Sequence, residues 1–303
     1  MNQERRPHPS LRRFMMSYAP DWIISGALWA IFWVIDNHVS GFKRHFSLSD
    51  VSLRYPYAVN QRVGTTALSF ISGGIPFVIQ SLVNILTVRS WWDFHHSTLG
   101  LLLSLSMTRT VTHLVKVTVG RPRPDLISRC QPAIGSEDPL WGLSTVDICT
   151  QTVSVILEDG WKSFPSGHSS MSFAGLGFLA FYLAGKLHLF DTRGHVSKAW
   201  ISISPLAGAL YVATTRTMDY RHHWQDVMTG SALGILLAYF SYRQYYPDLA
   251  SADAHEPYAT RFKDTKSIEL DGTDGTTDSL LDHYEEDGEV ISTRRNPRTG
   301  IRR

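Results

Sequence analysis

Long apolar runs alternate with short polar stretches over most of this chain. Six runs can be distinguished, with approximate bounds 22–35, 65–88, 97–115, 166–187, 200–214 and 227–245. A membrane-spanning helix needs roughly 20 mostly apolar residues, so this pattern predicts six transmembrane helices. The first run is the weakest match in length, and it becomes long enough only if its helix extends to about Tyr18 and His38.

The pattern therefore predicts an all-α fold, a polytopic membrane bundle of six transmembrane helices with disordered cytoplasmic tails. We expect a tail over residues 1–20, the six-span domain over 21–246, and a second tail over 247–303. The second tail is predicted to be disordered because it is polar and has no apolar periodicity. The first tail lacks the small-residue cleavage site of a removable signal, so we expect the first run to be retained.

Composition adds little to this picture. The mean hydropathy of −0.10 averages an apolar region and a polar one. The net charge is +2, and no basic stripe is interleaved with aromatic residues, so the sequence predicts no nucleic-acid partner. The predicted partner at this point is the bilayer, and the sequence is silent on oligomeric state.

The two cysteines bear on topology. Cys130 and Cys149 lie in the longest polar loop, 116–164. Two thiols cannot build a four-ligand thiolate metal site, which leaves either a disulfide or two free thiols. A disulfide would place this loop in an oxidising compartment. Loop charges favour cytoplasmic termini. The loops after the first, third and fifth spans should then lie on the lumenal or extracellular face. The membrane could be the vacuolar membrane, another internal membrane or the plasma membrane.

The first candidate motif joins two cations at the mouth of the third span. Lys116 and Arg123 stand in the pattern K-x6-R-P, with prolines that hold the chain extended after the helix. A positive flank on a membrane segment would have the same composition. One turn and two turns earlier, His113 and Arg109 lie on the same helix face as Lys116, either as bundle contacts or in contact with substrate.

The second candidate motif opens the fourth span with Pro165, Ser166, Gly167 and His168. Serine is a favoured N-cap, and glycine allows close backbone approach. The free N–H groups and the dipole of a helix start bind anions, so His168 would sit within an anion site as a proton donor. The alternative is a capped helix with an incidental histidine.

The third candidate motif separates the fifth and sixth spans. Arg216, His222 and Asp226 stand in the pattern R-x5-H-x3-D. An acid four residues after a histidine shares its helix face and can orient the imidazole. Spacing alone also allows Asp226 to reach His223, and Asp219 creates the same kind of ambiguity.

The same residues could be read as a metal site. Ligand types found on zinc occur at His168, His222, His223 and Asp226. The predicted cations Lys116, Arg123 and Arg216 argue against a metal, because fixed positive charges repel a dication and favour a dianion such as phosphate.

These three motifs, in this order and predicted on one membrane face, resemble the type 2 phosphatidic acid phosphatase family and its integral-membrane lipid phosphate phosphatases. The family pattern is K-x6-R-P, P-S-G-H and S-R-x5-H-x3-D. The chain matches every position except the last serine, where Thr215 keeps the hydroxyl. The resemblance covers about residues 20–246, and segments 46–57 and 120–126 are most similar to fungal diacylglycerol pyrophosphate phosphatases.

The resemblance implies a cofactor-free, magnesium-independent hydrolase of phosphatidate, lysophosphatidate or diacylglycerol pyrophosphate. It selects His222 as the nucleophile that forms a phosphohistidine, Asp226 as the residue that orients it, and His168 as acid and base. The phosphate-binding groups it implies are Lys116, Arg123, Ser166, Gly167 and Arg216.

Other functions fit parts of this pattern. A polyprenyl pyrophosphate phosphatase or a sphingoid-base phosphate phosphatase would use the same residues. Vanadium haloperoxidases share them too, but they are typically soluble, whereas six spans are predicted here. A non-catalytic lipid-binding or transport protein should lack a motif residue, and none is missing.

Overall fold

The computed structural model describes residues 11–191, 194–259 and 261, with side chains from residue 16 onward. Within these residues the chain forms nine α-helices and no β-strand, only two isolated β-bridges. The predicted all-α class is therefore confirmed for the part that is described. The helices are α1 (Leu11–His38), α2 (Thr65–Ser69), α3 (Ile75–Val83), α4 (Trp91–Val119), α5 (Leu126–Cys130), α6 (Ser154–Asp159), α7 (Gly167–Lys186), α8 (Val196–Met218) and α9 (Trp224–Tyr245).

Each predicted apolar run lies in a long helical segment. The second run is composite, because α2 and α3 are continued by two π-helical turns, Phe70–Gly74 and Asn84–Val88. The glycine pair Gly73 and Gly74 falls in the first π turn, just before Pro76. Such irregular backbone is tolerated in a helix bundle when neighbours satisfy the displaced groups.

Three helical segments are long and apolar enough to cross a membrane: Met16–His38, Thr65–Val88 and Val196–Met218. The structure thus gives three candidate spans among the described residues, where the sequence pattern predicted six. The remaining long helices, α4, α7 and α9, pack against one another. A helix covered by its neighbours can carry serine, threonine and histidine because its polar groups find partners inside the bundle.

The helix α7 lies at the centre of the bundle, in contact with α4, α8 and α9. Small polar side chains join it to its neighbours. Ser104 Oγ donates to the Ala174 carbonyl oxygen at 3.1 Å, and Thr112 Oγ1 donates to Ser170 Oγ at 2.9 Å. The Gly, Ala and Ser content of the fourth run thus allows the close packing that was expected of it.

The long loop between α4 and α7 shares a small core with the connection between α1 and α2. Its buried members are Phe46, Leu53, Leu126, Cys130 and Trp161. Cys130 is joined to Cys149 in a disulfide, so the first of the two cysteine alternatives is correct. The loop is therefore an ordered cap beside the end of the bundle, with α5 and α6 inside it.

Ordered structure continues past both ends of the predicted six-span domain. Helix α1 begins at Leu11, and Tyr18 is buried, because its aromatic ring packs against α4. At the other end, the chain beyond Tyr246 still packs on the bundle: Ala254 is buried, and the Tyr258 backbone N–H donates to the Tyr245 carbonyl oxygen at 2.9 Å. The rest of the predicted C-terminal tail lies outside the described residues.

Candidate active site

The first motif starts in the last turn of α4 and continues after it. The helix ends at Gly120, whose φ is 57°. A Cβ atom there would come within 2.0 Å of the Phe42 carbonyl oxygen, so only glycine meets both requirements. The chain leaves the helix one turn after Lys116 and carries Arg123 back toward it.

Both cations of this motif reach the carbonyl oxygen of Lys162. Lys116 Nζ donates to it at 2.6 Å, and Arg123 Nη2 lies 3.4 Å from it. Arg123 Nη2 also binds Asp159 Oδ1 at 2.7 Å. The further arginine partners of this carboxylate are Arg129 and Arg221.

The second motif opens α7 as predicted. Ser166 is its N-cap, with Oγ accepting from the Ser169 backbone N–H at 3.4 Å. The backbone N–H of Ser166 donates to the Asp226 carbonyl oxygen at 2.9 Å, which joins the second motif to the third. Gly230 makes this approach possible, because a Cβ atom there would lie 2.5 Å from the Ser166 carbonyl oxygen.

His168 and Gly167 follow in the first turn of α7. His168 Nε2 donates to the Val63 carbonyl oxygen at 3.1 Å, so the neutral ring carries its lone pair on Nδ1. Gly167 lies beside the side chain of Lys116. The first two motifs are therefore in contact.

The third motif begins in the last turn of α8, where Arg216 is fully buried. Its Nη2 binds Asp219 Oδ2 at 2.9 Å, and its Nη1 donates to Gln61 Oε1 at 2.9 Å. Thr215 Oγ1, the hydroxyl that replaces the family serine, accepts from the same guanidinium at 3.0 Å. Asp219 therefore partners Arg216 and Arg62, which answers the ambiguity left by spacing.

His222 lies between α8 and α9, and the backbone of Ser163 holds its ring. His222 Nδ1 donates to the Ser163 carbonyl oxygen at 2.7 Å. The distance from Nδ1 to Asp226 Oδ2 is 3.9 Å, which is longer than a hydrogen bond. The Asp226 carboxylate instead accepts from Ser163 Oγ at 2.6 Å, from the His223 backbone N–H at 3.0 Å and from Arg121 Nη1 at 2.6 Å.

This arrangement leaves Nε2 as the nitrogen of His222 that carries the lone pair. Burial lowers the pKa of His222 to about 3; the Asp226 carboxylate opposes this shift, and the positive charges of Lys116 and Arg123 add to it. The ring is therefore neutral near pH 7, as a nitrogen nucleophile must be.

The buried carboxylates are ionised. Burial alone would raise the pKa of Asp226, but the rings of His222 and His223 and the Ser163 hydroxyl outweigh it and hold that pKa well below its usual value. Burial would likewise raise the pKa of Asp159. The cations around it, above all Arg123, outweigh burial and keep the pKa of this carboxyl low.

The segment Lys162–Ser166 is where the three motifs meet. The Lys162 carbonyl oxygen accepts a hydrogen bond from Lys116 of the first motif. The Ser163 carbonyl and hydroxyl bind His222 and Asp226 of the third motif, and Ser166 is the N-cap that starts the second. A cavity of about 540 Å³ opens beside it, lined by Lys116, Arg123 and Gly167. The other predicted site residues do not line this cavity; they are Ser166, His168, Arg216, His222 and Asp226.

Several residues of this site were not predicted. Arg121, which binds Asp226, was visible in the sequence as an extra arginine inside the first motif. Asp159 and Arg221 carry no motif signal, because their charges matter only once the loop folds back. Ser163 acts largely through its backbone carbonyl, and a backbone contact cannot be predicted from residue type.

The donor set around His222 suits an anion better than a metal. Over the described ranges, no cluster of three or more His, Cys, Asp and Glu side chains is arranged to hold a metal ion. Lys116 and Arg123 add positive charge around His222, and such charge favours a phosphate dianion.

Comparison with known proteins agrees with the motifs. The PAP2 superfamily model matches residues 97–249. The chain is 40% identical over 243 residues to lipid phosphate phosphatase 2 of Arabidopsis thaliana, an alignment covering 79% of this chain and 81% of the relative. It is 38% identical over 230 residues to the probable diacylglycerol pyrophosphate phosphatase 1 of Schizosaccharomyces pombe, with 76% and 81% covered.

A third relative is diacylglycerol pyrophosphate phosphatase 1 of Saccharomyces cerevisiae, 39% identical over 216 residues, with 69% of this chain and 73% of the relative covered. No solved structure gives a significant match. The predicted resemblance is thus confirmed by matches that span most of the chain: this protein belongs to the PAP2 superfamily.

Proposed function

We propose that this chain is an integral-membrane lipid phosphate phosphatase that hydrolyses phosphatidate, lysophosphatidate or diacylglycerol pyrophosphate without a metal. The observation that carries the proposal is the meeting of all three motifs on the segment Lys162–Ser166. The names of the relatives, lipid phosphate and diacylglycerol pyrophosphate phosphatases, give the substrate class.

In the first step, His222 attacks the terminal phosphorus. Its Nε2 lone pair forms the N–P bond while the P–O bond to the lipid breaks. His168, protonated on both ring nitrogens once the phosphate dianion is bound beside it, gives its Nδ1 proton to the leaving oxygen and becomes neutral. The Ser163 carbonyl keeps the proton on Nδ1 and stabilises the positive ring that forms, while Asp226 adds its negative charge from 3.9 Å.

In the second step, water attacks the phosphohistidine. His168 now accepts a proton from this water, the N–P bond breaks, and its electron pair returns to Nε2 of His222. Inorganic phosphate leaves, and both histidines regain their starting protonation states.

The charge of the transferring group is balanced by fixed cations. Lys116, Arg123 and Arg216 bind the phosphoryl oxygens, with the N–H groups at the start of α7, from Ser166 and Gly167, as further donors. When no phosphate is bound, Lys116 and Arg123 have the Lys162 carbonyl and Asp159 as partners. Phosphate would replace these acceptors, so no magnesium ion is required.

We also propose six spans, with the site on the lumenal or extracellular face. The contacts Phe42 to Val117, Val63 to His168, Ser166 to Asp226 and Arg62 to Asp219 bring together the ends of α1, α4 and α8 and the starts of α2, α7 and α9. The helices α4, α7 and α9, which pack against one another, would cross the membrane beside the three apolar segments. The disulfide at this end supports an oxidising side.

The test is phosphate release from phosphatidate and from diacylglycerol pyrophosphate in detergent micelles, each with and without excess EDTA. We expect release from both lipids, and unchanged rates under chelation because the cations are protein side chains. Loss of activity in EDTA would contradict the metal-free mechanism. Inertness on both lipids would contradict the proposed substrate class.

A further inference from the structure

The cavity beside the site continues past the phosphate-binding residues. It is lined by Lys116, Arg123 and Gly167 at one end, and also by Arg109, His113 and Phe32 at the interface of α1 with α4. The Arg109 guanidinium lies over the Phe32 ring, 4.4 Å from its centroid. The second part of the cavity is therefore cationic and aromatic.

Two buried polar atoms in this part have no hydrogen-bond partner, Arg109 Nε and His113 Nε2. His113 Nε2 lies 3.4 Å from Asp36 Oδ1, an ion pair only when the ring is protonated. Leaving a buried donor unpaired is unfavourable, so these atoms are suited to acceptor atoms on a bound molecule. The phosphate chemistry described above uses neither of them.

Their position on α4 sets which part of a lipid they would contact. Arg109 precedes Lys116 by seven residues, about 10 Å along the helix axis, toward the centre of the bundle. The second phosphate of a diphosphate is bonded directly to the reacting one, so it must stay beside Lys116. The acyl ester carbonyls lie farther on, beyond the glycerol carbons.

We propose that Arg109 and His113 form a subsite for the acyl ester carbonyls of a glycerolipid phosphate. This inference rests on the proposed function and narrows it. Ester carbonyl oxygens are neutral acceptors, which suits a site where Asp36 offsets the cationic charge. Isoprenoid and sphingoid-base phosphates have no ester at this position, so the subsite discriminates against them.

The experiment compares ester-linked phosphatidate with its dialkyl-ether analogue of equal chain length, in micelles, for wild type and Arg109→Met. We expect wild type to show about a tenfold higher kcat/KM for the ester lipid, the value of about one charged hydrogen bond. In Arg109→Met the kcat/KM for both lipids should equal the wild-type value for the ether lipid. The loss for the ester lipid should appear as a higher KM.

Thr110→Ala is the matched control. Thr110 Oγ1 donates to the Leu28 carbonyl oxygen at 2.8 Å, so this variant disturbs the α1–α4 contact without touching the cavity, and it should keep the ester preference. Arg109→Lys is a second variant that keeps a charge but not the planar fork, and it should lose most of the preference.

Equal kcat/KM for ester and ether lipids in wild type would overturn the subsite. So would a loss in Arg109→Met that is equal for both lipids, or one confined to diacylglycerol pyrophosphate. A wild-type protein inert on every lipid would instead contradict the proposed function, and the subsite would fall with it.

Discussion

The ring of His222 is positioned by the backbone carbonyl of Ser163, 2.7 Å from Nδ1, while the carboxylate four residues later is 3.9 Å away. Asp226 is held by Ser163 Oγ, Arg121 and the His223 backbone. The predicted pair of histidine and acid is therefore indirect. Asp226 anchors the start of α9, and the Ser163 residue links it to the histidine.

This geometry makes the two adjacent histidines unequal. His222→Ala should lower kcat by more than about a thousandfold, as removal of a nucleophile does. His223→Ala should keep activity within about tenfold, because the His223 backbone N–H that donates to Asp226 remains and only the ring, 3.4 Å from Asp226 Oδ2, is lost. Phosphate release from phosphatidate measures both variants. The reverse order of losses would move the nucleophile to His223.

Burial of a neutral His222 also predicts how stability depends on pH. The pKa of His222 is about 6.5 in the unfolded chain and is lowered to about 3 in the folded protein. At a pH between these two values, the unfolded chain therefore binds one more proton at this position than the folded protein does. The unfolding free energy should therefore fall on acidification from pH 7 to 5, approaching about 1.4 kcal/mol per pH unit for this proton.

The measurement is thermal unfolding in detergent at pH 7, 6 and 5, for wild type and His222→Gln. The variant should lose part of the slope, since glutamine does not titrate. The carboxylates contribute only at lower pH, because their stabilising charge is lost on protonation below about 4. A slope that His222→Gln leaves unchanged would show that this ring is not buried neutral.

The helices illustrate what an apolar pattern can and cannot predict. All six runs became helical segments, because 3.6-residue geometry satisfies the backbone of an apolar stretch internally. Their ends were less predictable. Helix α4 extends to Val119 because Gly120 ends it, and α1 begins at Leu11, ten residues before the expected domain boundary.

The loop between α4 and α7 was the largest omission. The pattern showed a polar stretch with two cysteines, but its core around Trp161 and its disulfide bring Asp159 and Ser163 against residues far along the chain. Such contacts join positions 46 to 105 residues apart, as for Lys116 with Lys162 and Arg121 with Asp226. No local spacing encodes them.

The end of the bundle opposite the site is fixed by a buried charge. Asp93 is fully buried and pairs with Lys186, and it accepts hydrogen bonds from Tyr182 at 2.8 Å and Tyr246 at 2.9 Å. Lys186 also donates to the His255 carbonyl oxygen. This network joins α4, α7 and the end of α9 to the chain beyond it.

Removing Asp93 should therefore destabilise the whole protein. Asp93→Ala leaves Lys186 as a buried unpaired cation, and the expected loss is about 3 kcal/mol of unfolding free energy. The control is Asp191→Ala, which breaks the more exposed pair with Lys198 and should lose less than about 1 kcal/mol. Thermal unfolding in detergent tests both, and equal losses would contradict the central role of the Asp93 network.

The sequence by itself determined the helical class, the apolar segments, the three motifs and the family, because each of these depends on residue type and spacing along the chain. Only the tertiary structure decided that the Ser163 carbonyl holds His222, that Arg121 pairs with Asp226, and that Phe32 of α1 joins Arg109 in lining the cavity. These are contacts between distant segments, often through backbone atoms, and they exist only after the bundle and its loop have packed.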